Sequence, residues 1–198
     1  MNYLAHAYLS GTDEQVLIGN FIADGLPGSR IDHLPKGVQL GVKLHRFIDS
    51  YTDQHPVNES IKRALHPIAG KWAGVVVDIC YDHILAKNWA DHHHLDLAVF
   101  VERTYTTVGG FESHFPERLA YMFSYMRSQN WLLHYAEPEG VLQSLGGLSR
   151  RISSRPPLRE AGEWLLGENQ LVSESFSAFF PDLYQQCQIW LDANRISN

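Results

Sequence analysis

The chain has 198 residues, enough for one domain with a substantial core. Hydrophobic residues make up 44% and charged residues 19%, the balance of a soluble globular protein, and the formal net charge of −6 argues against a general nucleic-acid-binding surface. No apolar run approaches the ~20 residues that a bilayer-spanning helix needs.

Taken in chain order, almost every periodic segment is helical. Residues 3–9 predict a short helix ended by Gly11, with Asp13 as the N-cap of the next. That next helix, EQVLIGNFIAD, runs to Asp24 and is stopped by Gly25, Leu26, Pro27 and Gly28. Pro35 suits a first helical position and opens a helix to about Tyr51–Asp53, and Pro56 opens a shorter one. Pro67 starts the long apolar segment containing AGVVVDICYDHILAKNW. Val75–Val77 resembles a strand locally, but the helical pattern continues on both sides for longer than a strand runs. Helices are further predicted over 96–107, 115–128, 131–136, 139–152, 157–168 and 170–194. With no repeat, linker or low-complexity block, residues 1–198 read as a single all-α domain.

The amino terminus MNYLAHAYLSGTDEQ has no basic stretch and carries His6, unlike a signal peptide. Cys80 and Cys187 are far apart and follow no CxxC spacing, so both read as buried or incidental thiols of a reducing compartment. The expected location is the cytoplasm.

Eleven histidines are many for this length, and their placement carries the chemistry. His45, Asp49 and Asp53 recur every four residues in HRFIDSYTD and share one helix face. A solvated polar face is the commoner outcome for such a row. Asp78, Asp82 and His83 interrupt an apolar helix, where ionised carboxylates are costly unless paired or bound to a cation. Oxygen and imidazole donors without thiolates suit Mn²⁺, Mg²⁺, Fe²⁺ or Zn²⁺. His6, on an apolar short helix, reads equally as a satisfied core histidine or a ligand. His92, His93 and His94 occupy a polar turn, where adventitious metal binding is the expectation.

The motifs MNYLAHAYLS, GNFIAD, HRFID with the following TD, and DICYDH resemble, in order, those of acyl-carrier-protein phosphodiesterases. The later SQNWLLHY and LGGLSRR are similar to that family's C-terminal half. The family is in turn similar to the HD-type metal-dependent phosphohydrolases, which are helical and collect His and Asp ligands from several helices. Here Asp82-His83 reverses the order of the HD doublet. The resemblance implies an HD-like helical bundle that hydrolyses the phosphodiester between 4′-phosphopantetheine and a serine of holo acyl carrier protein, with Mn²⁺ as the metal and no role for nucleic acid or membrane.

On that footing Asp24, His45, Asp49, Asp82 and His83 are the expected contributors to a metal centre. His6, Asp53 and Asp78 are expected in support or at a second metal. Arg46 is expected to hold a phosphate oxygen or pair with a ligand carboxylate. Arg150, Arg151, Arg155 and Arg159 form a local basic cluster suited to docking an acidic carrier protein; a solvated run is the ordinary reading. Trp131 or Tyr135 could line a pantetheine channel, with core packing the ordinary role. Competing readings are an HD-like hydrolase of a small nucleotide or phosphomonoester, a non-catalytic helical binding protein stabilised by metal, and a helical regulator without metal.

Overall fold

A computed structural model describes residues 1–26 and 30–195. In chain order its helices are α1 (Tyr3–Leu9), α2 (Glu14–Ile22), α3 (Lys36–Gln54), α4 (Pro56–Ala69), α5 (Ala73–Lys87), α6 (Leu97–Gly109), α7 (Glu117–Ser128), α8 (Trp131–His134), α9 (Pro138–Arg151), α10 (Leu158–Gly167) and α11 (Asn169–Arg195). No strand occurs among the described residues. None of the described helices is long and apolar enough to cross a membrane.

Local chemistry accounts for most boundaries. Gly11 adopts φ +69°, a left-handed turn conformation that glycine accepts without strain. Asp13 then caps α2, its Oδ1 accepting from the N–H groups of Gln15 and Val16. After α2, a 3₁₀ turn over Ala23–Gly25 carries Asp24. Pro27 and Gly28, expected to stop this helix, lie outside the described residues. Pro35 is the N-cap of α3 and not its first helical residue, because its ψ of 148° is extended. Pro56 does occupy the first turn of α4, where its missing N–H has no helical partner to lose.

Pro67 departs from expectation. It lies inside α4, near its end, and Gly70 terminates that helix at φ +55°. The long apolar helix α5 begins only at Ala73. It is buried on nearly all sides, including Val76, Val77, Cys80, Tyr81, Asp82, Ile84 and Leu85, as befits a helix without a polar face. Around it α1, α4, α9, α10 and α11 pack, while α2 pairs chiefly with α3. Cys80 and Cys187 are buried free thiols.

Candidate metal centre

The centre is built on the crossing of α2 and α3. A Cβ on Gly19 would collide with the Val38 carbonyl oxygen, and one on Gly41 with the Val16 carbonyl oxygen. Without side chains there, the two backbones touch. Asn20, next to Gly19, thereby brings its backbone carbonyl within 2.8 Å of His45 Nδ1, one turn beyond Gly41.

From the other side α1 delivers His6. Its Nδ1 lies 2.7 Å from Asn20 Oδ1, while Asn20 Nδ2 donates to the His6 carbonyl at 2.8 Å and to Ser10 Oγ at 2.9 Å. A carbonyl can only accept, so the amide orientation is fixed and Oδ1 must accept from His6 Nδ1–H. The same logic makes His45 Nδ1 a donor to the Asn20 carbonyl. Both rings therefore keep Nε2 for whatever lies between them.

What lies there is carboxylate. His45 Nε2 is 3.1 Å from Asp24 Oδ1 and 3.1 Å from Asp49 Oδ2, and His6 Nε2 is 3.2 Å from Asp49 Oδ1. The rings stack with centroids 4.1 Å apart. Burial works against a charged His45, but hydrogen bonds to Asp24 and Asp49 outweigh it and raise its pKa to about 9. Burial and the neighbouring His45 charge lower that of His6. Burial opposes ionisation of Asp49 too, yet its bond to His45 and the adjacent His6 hold it well below the usual carboxylate range. Asp24 is lowered chiefly by its bond to His45.

One proton on His45 leaves a defect. His6 Nε2 is buried without a hydrogen-bond partner, its lone pair turned toward an ionised carboxylate. A divalent cation in place of that proton would satisfy His6, His45 and Asp49 together, and these three offer ligand atoms within 4.8 Å of one another. Both histidine side chains are nearly inaccessible (3% and 6%), whereas those of Asp49 and Asp24 are 44% and 66% exposed. The group is thus closed on the imidazole side and open on the carboxylate side, as a site for catalysis must be.

The open side faces a cavity of about 500 Å³, whose lining includes Asp24, Asp49, Asp53 and Asp78 together with Lys71 and Arg151. Asp53 is paired with Lys62 at 3.2 Å, and Asp78 Oδ1 lies 2.9 Å from the Met1 amino nitrogen. Asp82 and His83 are not gathered with the histidine pair. Asp82 lies under the start of α1, accepting from the N–H groups of Asn2, Leu4 and Ala5, and His83 Nδ1 lies 2.7 Å from the Tyr135 carbonyl. Backbone donors and an amino group partner these carboxyls of α5, burial holds both above the usual carboxylate range, and no cation between Asp78 and Asp82 is required. Arg46 is exposed and is not among the residues lining the cavity.

Sequence reasoning left His6 undecided and missed Asn20, Lys71 and the position of Arg151. The GNFIAD motif contained Asn20, but a neutral amide beside apolar residues gave no sign of its two histidine contacts.

A larger cavity of about 980 Å³ is formed by α7, α8, α9 and the start of α10. Met122 and Arg151 line both cavities, so they share a wall. Arg118, Arg150, Arg151 and Arg159 border the larger one, and no carboxylate is among its lining residues. Arg159 also pairs with Glu139 and Glu163, and Arg155 stands outside in the turn after α9 at φ +44°. Trp131 lines this cavity under Arg151, whose guanidinium is 5.6 Å from the indole centroid. Tyr135 is instead buried, its hydroxyl accepting from Asn2 Nδ2.

Comparison with known proteins bears on this arrangement. The family model for acyl carrier protein phosphodiesterase matches residues 1–183. Proteins named acyl carrier protein phosphodiesterase from Enterobacter sp. (strain 638) and Salmonella paratyphi A are each 28% identical to the chain. They cover 95% and 94% of it, and the matches span 98% and 97% of their own lengths. The namesake of Salmonella agona (strain SL483) is 27% identical over 94% of the chain and 97% of its own length. No solved structure matches.

Proposed function

Because the chain belongs to the acyl carrier protein phosphodiesterase family, and hydrolyses holo acyl carrier protein to the apo form, we propose that the His6, His45, Asp49 and Asp24 group is where this hydrolysis occurs. The observation that carries the reading is the pair of inward Nε2 atoms converging on Asp49, that of His6 buried without a hydrogen-bond partner.

His6, His45 and Asp49 would hold a divalent cation, Mn²⁺ by family resemblance. When bound, such a cation supplies positive charge against the phosphoryl oxygens and acidifies water at the site. Asp24 is hydrogen-bonded to His45 and exposed to solvent, so it is positioned to accept the attacking water's proton. Arg151 and Lys71, the cationic side chains in the cavity lining, neutralise the phosphodiester's remaining charge. Water adds to phosphorus as Asp24 takes its proton, the bond to the serine oxygen breaks, and the serine leaves as its hydroxyl with that proton returned from Asp24 while 4′-phosphopantetheine is released. Arg151, on the shared wall, takes the phosphate role that sequence spacing offered to Arg46.

The arginine-bordered groove is suited to the carrier protein itself. Arg118, Arg150 and Arg151, beside the Glu-paired Arg159, make a positive surface on a chain of net charge −6, complementary to an acidic partner. Of the four docking residues expected from sequence, Arg150, Arg151 and Arg159 border the groove; Arg118 on α7 joins them.

The deciding experiment follows the carrier's mass. Holo acyl carrier protein incubated with the enzyme and Mn²⁺ should lose the phosphopantetheine mass, and the loss should cease when a chelator is added. Loss that continues undiminished after exhaustive chelation would sink the metal reading.

A further inference from the structure

We propose that Asn20 is the positioning residue of the centre, setting the tautomer of both ligand histidines, one through its side chain and the other through its backbone. The inference rests on the metal reading above, and Asn20 itself touches no substrate.

Asn20 is fully buried at the end of α2. Its Oδ1 accepts from His6 Nδ1–H at 2.7 Å and its carbonyl oxygen from His45 Nδ1–H at 2.8 Å. Its two amide hydrogens are committed to the His6 carbonyl and Ser10 Oγ, and Ser10 Oγ in turn donates to the same His6 carbonyl at 2.8 Å. The amide therefore cannot reverse without setting two donors or two acceptors against each other. A ligating imidazole needs its outer nitrogen protonated and held, and this is ordinarily done by one acceptor per ring. Here one residue serves two rings that come from different helices and stack on each other. Displacing Asn20 alters both ligands, whereas changing its side chain should alter only His6.

That asymmetry makes the test. In metal-free wild-type protein, ¹⁵N-resolved imidazole spectra should show His6 protonated on Nδ1; an Nε2–H tautomer overturns the proposal. Asn20→Leu should lower Mn²⁺ affinity about 10- to 100-fold, the usual effect of losing such a partner. It should disturb the His6 resonances and leave those of His45 in place. Introduced into His6→Ala, the same change should cause no further loss of affinity. Equal disturbance of both histidines, or additive losses in the double variant, would mark Asn20 as a general packing residue and refute the role.

Asn20→Asp retains an acceptor for His6 Nδ1–H while losing the donor to the His6 carbonyl, and should keep His6 protonated on Nδ1, which keeps the test usable if the leucine variant folds poorly; an Nε2–H tautomer in this variant counts against the proposal. Ser10→Ala, which leaves both imidazole contacts intact, should bind Mn²⁺ as wild type does; a loss as large as that of Asn20→Leu counts against the proposal. If wild-type protein binds no divalent cation, the metal reading fails, while the His6 tautomer still tests Asn20.

Discussion

His6 and His45 stack with their ring planes 19° apart and 4.1 Å between centroids, and a single carboxylate, Asp49, bridges their Nε2 atoms. Two imidazolium charges at that separation are unfavourable, so the metal-free pair carries a single positive charge, with the extra proton on His45 Nε2.

Cation binding should therefore displace that proton. With His45 raised to about 9, Nε2 is protonated at neutral pH, and affinity for Mn²⁺ should climb with pH until about 9. Calorimetry in two buffers of different ionisation enthalpy should report close to one proton released at pH 7. In His45→Ala both the binding and the release should be lost.

Asp24 and Asp82 should fail in different ways. Asp24→Ala removes an exposed group and should abolish turnover while the thermal midpoint stays near that of wild type. Asp82→Ala leaves three N–H groups at the start of α1 without their acceptor and should cost about 3 kcal/mol or more in urea unfolding. Burial pushes the Asp82 carboxyl up to about 7, against the pull of the Met1 amino group and the backbone N–H groups. The folded chain then holds this proton more tightly than the unfolded chain. Its contribution makes stability fall as pH rises from about 4 to about 7 and level off above. Asp82→Asn should lack that component of the slope.

Reversing Arg150 and Arg151 to Glu should raise KM for the carrier several-fold and flatten its dependence on salt. Arg155→Glu, changed outside the groove, should do so far less. Equal effects from all three positions would mean long-range attraction without a defined docking surface.

How much of this was legible in the sequence depended on how local each cause was. Asp13 and Pro56 act on their own first turns, and both were readable. Pro67 misled because a proline near a helix end resembles one near a beginning; what distinguishes them is Gly70 three residues later. His45 and Asp49 stood out because chemistry-bearing residues at helical spacing are conspicuous, and Asp24 because it closes the GNFIAD motif; the fold brings all three side by side. Asp82 looked equally conspicuous, but its partners are backbone N–H groups some eighty residues away in sequence, which no side-chain pattern reveals. Asn20 was invisible for the converse reason: half of its role belongs to its carbonyl oxygen, which every residue has.

The dependence of α1 on Asp82 bears on the order in which the centre is assembled. Seven residues are too few to hold a helix in water alone, so α1 exists only where α5 supplies acceptors beneath its first turn. His6 is thus held at the site by the same contacts that fasten α1 to α5. The cation would then enter a finished protein and would not nucleate it. Cells short of metal would accumulate a folded, inactive enzyme that later supply could switch on without fresh synthesis.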